Sequence, residues 1–203
     1  MQDMINLSKR QAFSKEDAVE LLRQNAVQIF SAFDEALDKY NVEIQQTSPL
    51  ARTRLDSPLL HAKITDSFIA TFPENTIIGK YRRSIFRYVG NGNKCQLIIK
   101  KLSKSSRPSY ISTRLSNTIL SQGQCELFDG EESAKREPLL IFGYTKDRFG
   151  NLTNPRIVYF DEEPVWEIVP SDFASALPNM DSVEHIEVKP KRKQKERKKE
   201  KQY

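Results

Sequence analysis

The dipeptide Asn91-Gly92 constrains the fold more than any other feature of this sequence. It separates two apolar runs, residues 84–89 and 95–102, that are rich in β-branched and aromatic side chains. Asn-Gly accepts the positive backbone φ angles of a tight two-residue turn, so its place between two such runs predicts a β-hairpin. Because the strands of a hairpin are antiparallel, the sequence favours an antiparallel sheet over a doubly wound parallel one.

Three more short apolar runs follow Pro138, at residues 139–145, 155–160 and 165–169, and turn-forming residues separate them. This spacing predicts an antiparallel meander, which together with the hairpin makes a sheet of five or six strands. In the last run the side chains alternate, so Trp166 and Ile168 are expected to face the core.

The first of three expected helices begins at Ser14, where Asp17 completes a pattern that resembles a capping box. Apolar residues at intervals of three and four continue this helix to Tyr40. Such a stripe packs against the protein's own sheet or forms a coiled-coil seam, and we favour packing on the sheet.

The second helix is expected to begin at Ser57-Pro58 and to end at Pro73, with residues 45–56 as a loop. A third helix is expected after Pro108, with Gly123 near its C-terminus. Helices and strands come in blocks instead of alternating, so the expected fold class is α+β, with an antiparallel sheet and about three helices.

The expected organisation is a single α+β domain at residues 1–188 followed by a basic tail at residues 189–203. Residues 14–73 would form its helical part and residues 76–188 its β-rich part. The tail contains no apolar residue before Tyr203, so it cannot bury enough surface to offset the entropy of ordering. We expect it to be disordered.

Charge is distributed very unevenly along the chain. The formal net charge is +5, but residues 75–125 carry ten basic side chains and no acidic one, whereas residues 126–188 have a net charge of −9. A cationic segment of this kind neutralises phosphates, and aromatic residues beside Arg and Lys are typical of base stacking.

The sequence therefore predicts a nucleic-acid-associated accessory or regulatory protein that binds the RNA or DNA backbone through the basic hairpin segment and the tail. The candidate binding residues are the cations and two of the aromatic residues of the segment: Lys80, Arg82, Arg83, Arg87, Lys94, Lys100, Lys101, Lys104, Arg107, Tyr88 and Tyr110.

Other interpretations remain open. The basic segment could pair internally with the acidic C-terminal third or be an ordinary solvated face. A metal-independent ribonuclease, as in toxin–antitoxin pairs, is the first alternative function. The second is a non-catalytic interaction module that uses the acidic third or the helix at residues 14–40, which could also form a homodimer.

Several kinds of chemistry find no support in the sequence. It has no Gly-rich phosphate loop, and its two histidines lack partners at zinc-ligand spacing, so no cofactor or metal is expected. Neither His61 nor His185 is predicted to have a role. Two cysteines are too few for a disulfide framework, and no apolar run could span a membrane. A cytoplasmic protein is expected, or a nuclear one in a eukaryote.

Overall fold

A computed structural model describes residues 8–79, 83–125, 127, 132–147 and 152–176 of the 203-residue chain. The expected disordered tail and the end of the expected domain lie outside these residues. Within them the protein is an α+β structure in which one six-stranded sheet packs against helices.

The sheet follows chain order, β1 to β6. Its strands are β1 (Thr76–Ile78), β2 (Ser84–Gly90), β3 (Asn93–Lys101), β4 (Leu139–Lys146), β5 (Leu152–Asp161) and β6 (Glu163–Ile168). The predicted hairpin is confirmed as β2–β3, and φ angles of 49° at Asn91 and 76° at Gly92 form its turn. The predicted meander is confirmed as β4–β5–β6.

One pair departs from the antiparallel expectation. β3 and β4 run parallel, with Leu97 opposite Leu140. The connection between them is long enough to cross one face of the sheet and return in the same direction, as parallel pairing requires. The hairpin and the meander are therefore joined side by side into one sheet.

In the part of the chain that the structure describes, four α-helices form three helical segments. The first segment is α1 (Lys15–Leu22) continued through a 3-10 turn into α2 (Ala26–Gln46), the second is α3 (Pro49–Thr71) and the third is α4 (Arg114–Leu120). Ser14 caps α1 as predicted, because its hydroxyl accepts a hydrogen bond from the Asp17 backbone N–H.

The predicted start of the second helix at Pro58 is wrong. α3 begins at Pro49, where Ser48 provides the N-cap, and Pro58 lies inside the helix. A helix-interior proline removes one backbone hydrogen bond. The turns around it are nevertheless held to the rest of the fold, because Asp56 bonds to Tyr40 of α2 and to Lys146 of β4.

The third helix begins later in the chain than predicted. α4 begins only after Thr113, which forms a capping box with Ser116. Ile111 therefore lies in the preceding loop and is 85% exposed.

Both faces of the sheet are covered. The first core cluster lies between the sheet and α1–α3, and it contains Ile29 and Phe33 of α2 and Phe68 of α3. The second cluster, on the other face, contains Ile119 of α4 and Ile141 of β4. The apolar stripe along α1 and α2 is therefore buried in the protein's own core. This is the packing on the sheet that we favoured over a coiled-coil seam.

The last strand has the predicted register. Ile168 is fully buried, and Trp166 packs against the first core cluster while its indole N–H donates to the Phe13 carbonyl at 2.9 Å. Val165 and Glu167 point to solvent. Within the described ranges, no helix combines the length and the apolar character needed to cross a membrane.

Candidate nucleic-acid interface

The structure separates the predicted binding residues into four groups. Some are held by carboxylates of the C-terminal third, some are exposed or lie at a surface cavity, Tyr88 is buried in the core, and Lys80 and Arg82 lie outside the described residues. The basic segment is therefore not one uniform surface.

Arg87 belongs to a largely buried polar network. Its Nε donates to both carboxylate oxygens of Glu137, at 3.1 and 3.0 Å, and the Glu137 side chain is only 5% exposed. Arg10, itself buried, donates to the Glu137 carbonyl at 2.7 Å and to the Gln96 side chain at 3.3 Å. The contact between Arg87 and Glu137 therefore joins β2 to the segment that precedes β4.

Arg107 has a weaker internal partner. Its guanidinium pairs with Glu163 of β6, and both side chains are more than half exposed. Exposed ion pairs contribute about 0–1 kcal/mol, so this guanidinium can exchange its partner for another anion.

The prediction that Tyr88 binds nucleic acid is wrong, because its side chain is buried. It is 1% exposed and packs in the first core cluster, edge-on to Phe72 at a centroid distance of 5.7 Å. By the period of two along β2, Tyr88 shares a face with Phe86, which is fully buried. Tyr110, in contrast, is 48% exposed.

The structure brings Arg83, Lys100 and His61 together. The register of β2 and β3 pairs Phe86 with Leu97, and continuing it outward places Arg83 across from Lys100. Both line a surface cavity of about 670 Å³. The other residues that line it include His61, Thr65 and Asp66 of α3 and Ser84, Ile98 and Ile99 of the two strands.

The electrostatics of this cavity differ from those of Arg87 and Arg107. Among the described residues, no carboxylate forms an ion pair with Arg83 or Lys100. Burial lowers the pKa of Lys100, and the nearby Arg83 charge lowers it further. Desolvation likewise lowers the pKa of His61, and the charges of Lys100 and Arg83 add to that effect. The cavity, which we call the cationic pocket, thus places the charges of Arg83 and Lys100 side by side, and its lining also includes the Asp66 carboxylate.

The remaining predicted lysines lie apart from one another. Lys101 and Lys104 are exposed near the end of β3, whereas Lys94 is exposed next to the hairpin turn. Lys94 and Lys100 are six positions apart along β3, which is about 20 Å. Lys94 therefore cannot contact the same phosphate as the cationic pocket.

Sequence reasoning missed His61. It lies in α3, far from the basic segment in the chain, and one histidine on a helix carries no local signal of a site. Only the packing of α3 against the sheet brings its imidazole to Lys100. Metal binding gains no support, because no group of three or more potential metal-binding side chains occurs among the residues that the structure describes.

Comparison with protein families, with curated proteins and with solved structures finds no match to this chain. We therefore infer function from the chemistry of the cationic pocket and of the residues around it.

Proposed function

We propose that this protein binds nucleic acid through its phosphate backbone and that the cationic pocket is the principal contact. The observation that carries the proposal is the pair of neighbouring cations, Arg83 and Lys100, without a carboxylate ion-pair partner among the described residues. Like charges held side by side are unfavourable alone, and a phosphate between them would relieve their repulsion. Lys101 and Lys104 lie beyond Lys100 along the chain and would contact flanking phosphates.

The basic tail, residues 189–203, would add contacts of a different kind. A run of lysines and arginines binds phosphates without sequence preference. The pocket would therefore determine where the backbone lies, and the tail would increase affinity at low salt.

The proposal can be tested with the double variant Arg83→Gln, Lys100→Gln. Fluorescence anisotropy would measure its affinity for labelled single- and double-stranded RNA and DNA beside the wild type and a tail deletion. A matched control, Lys15→Gln with Lys39→Gln, removes the same charge from α1 and α2, where both lysines already have carboxylate partners.

We expect the pocket variant to lose most of the affinity and the control to lose little. Equal losses in the two double variants would show that only net charge matters. An intact protein that binds none of the four ligands at moderate salt would refute the proposal.

His61 favours a second candidate function, metal-independent RNA cleavage. Its lowered pKa keeps the imidazole neutral near pH 7 and able to accept a proton. In such a reaction His61 would take the proton of a ribose 2′-hydroxyl, and that oxygen would attack the adjacent phosphorus. The 5′-oxygen would leave with a proton from solvent, and Arg83 and Lys100 would stabilise the phosphorane charge.

Incubation with RNA, and with the same RNA carrying a single 2′-deoxy position, tests this activity. Cleavage that produces a 2′,3′-cyclic phosphate, stops at the deoxy position and disappears in His61→Asn would support it. Intact RNA after prolonged incubation with the wild type would leave binding as the only function of the pocket.

A further inference from the structure

Two large side chains with no core role lie next to each other on the loop that precedes α4. Tyr110 is 48% exposed and Ile111 is 85% exposed. The loop around them has a defined conformation, because the Ser116 hydroxyl donates to the Ile111 carbonyl at 2.7 Å and the capping box fixes Thr113. The aromatic ring is therefore presented to solvent by an ordered backbone.

Tyr110 lines a surface groove of about 920 Å³ at this loop. Arg107 and Arg114 lie in the same groove, and Arg114 is exposed with no ion pair among the described residues. The other polar side chains of the groove could meet the donors and acceptors on the edge of a nucleobase; they are Ser112, Asn117, Thr118, Ser121 and Glu162.

The loop that carries Tyr110 and the cationic pocket both border the end of β3. The Ser109 backbone N–H donates to the Lys101 carbonyl at 2.7 Å, and Leu102 forms a bridge with Pro108. The loop that carries Tyr110 therefore runs antiparallel beside the end of β3. Lys100, which lines the cationic pocket, is the residue just before Lys101.

We infer that the protein prefers single-stranded nucleic acid, with one base stacked on Tyr110 and the adjoining backbone phosphates in the cationic pocket. This inference rests on the proposed function and extends it to a class of ligand. In a duplex the faces of the bases are covered by their neighbours, so a base can reach Tyr110 only from a single strand. The arginines beside the ring would hold the phosphates that flank the stacked base.

The Arg107–Glu163 ion pair does not prevent this arrangement. Because it is exposed, it contributes little, and a phosphate can replace the Glu163 carboxylate at Arg107. Glu162 also lines the groove, and its carboxylate can accept a hydrogen bond from an exocyclic amino group of a base.

The test compares Tyr110→Ala, Tyr110→Phe and Val165→Ala in the full-length protein. Val165 is 58% exposed on β6, so its variant controls for loss of an exposed apolar side chain away from the groove. Affinity is measured by anisotropy for a short single-stranded oligonucleotide and for the same sequence as a duplex, with circular dichroism as the check of folding.

The Tyr110→Ala variant should bind the single strand about 5- to 150-fold more weakly, the range expected for one stacked base. Duplex affinity should change less than twofold, and Tyr110→Phe should retain single-strand binding. If the wild type binds both forms equally well and Tyr110→Ala binds like the wild type, the stacking inference fails while phosphate binding stands. If the wild type binds neither form, the proposed function itself fails.

Discussion

The buried Arg87–Glu137 pair allows a quantitative prediction, because the chain contains an exposed Arg–Glu pair for comparison. The side chains of Arg87 and Glu137 are 21% and 5% exposed, whereas those of Arg107 and Glu163 are 54% and 64% exposed. Removal of one charge from a buried pair leaves the other without compensation in a low-dielectric environment, which costs about 3–5 kcal/mol. The same change in an exposed pair costs about 0–1 kcal/mol.

The substitution Glu137→Gln should therefore lower the free energy of unfolding by about 3 kcal/mol or more. Among the described residues, the side chains that hydrogen-bond to this carboxylate are donors: Arg87 donates to both oxygens, and the Gln96 side-chain amide donates to one at 3.3 Å. A glutamine would turn one of these acceptors into an NH₂ group that faces donors. The loss of charge and the loss of an acceptor act in the same direction.

Urea unfolding of the wild type, Glu137→Gln and Glu163→Gln measures both costs under identical conditions. We expect the Glu137 variant to unfold at a clearly lower urea concentration with a similar m-value, and the Glu163 variant to resemble the wild type. Equal destabilisation by the two substitutions, within about 0.5 kcal/mol, would refute the argument that burial determines the strength of these pairs.

Three further predictions concern single residues. Bound phosphate should raise the pKa of His61 from its lowered value, so affinity should be greatest below the free-state pKa and should fall as the pH rises through the bound-state pKa. An anisotropy titration from acidic to neutral pH should show this fall in the wild type and not in His61→Asn. Burial and the hydrogen bond to Asp56 raise the pKa of Tyr40 to about 12. The stability that the protonated Tyr40 hydroxyl contributes should therefore be present below about pH 10 and lost as the pH rises to about 12. Urea unfolding at alkaline pH should depend less on pH in Tyr40→Phe than in the wild type. A Cβ at Gly143 would lie 2.3 Å from Leu102 side-chain atoms. Gly143→Ala should therefore lower the free energy of unfolding, measured with urea, by about 1–3 kcal/mol. An unchanged free energy of unfolding would show that Leu102 can move aside.

The parts of the fold that the sequence predicts well are those determined by local chemistry. The Asn91-Gly92 turn and the alternation around Trp166 involve residues close together in the chain, where turn geometry and the period of two fix the outcome. The parallel β3–β4 pair involves partners far apart in the chain, and no local pattern specifies which strands will be neighbours.

The start of α3 illustrates a competition between two equivalent signals. Ser48-Pro49 and Ser57-Pro58 both have the pattern of a helix N-terminus. The first is the actual start, and the turn between them is tied to the rest of the fold by Asp56. Those contacts come from α2 and β4, so they are visible only once the chain is folded.

The candidate site is predictable only in part, for the same reason. The absence of acidic residues at 75–125 drew attention to Arg83 and Lys100, which the structure places at one surface cavity. The sequence could not show that Arg87 pairs with Glu137, because this contact joins segments far apart in the chain. The period of two does place Tyr88 on the same face as Phe86, but it does not show that this face is the buried one. The sequence also could not show that His61 lies near Arg83 and Lys100.

The salt dependence of single-strand binding tests the central claim most directly. Each phosphate contact adds about 0.7 to the slope of log affinity against log salt concentration for a single strand. Loss of both cations in Arg83→Gln, Lys100→Gln should therefore reduce the magnitude of this slope by about 1.4 relative to the wild type. A slope that stays the same in the pocket variant would contradict the account, because it would mean that neither cation contacts a phosphate.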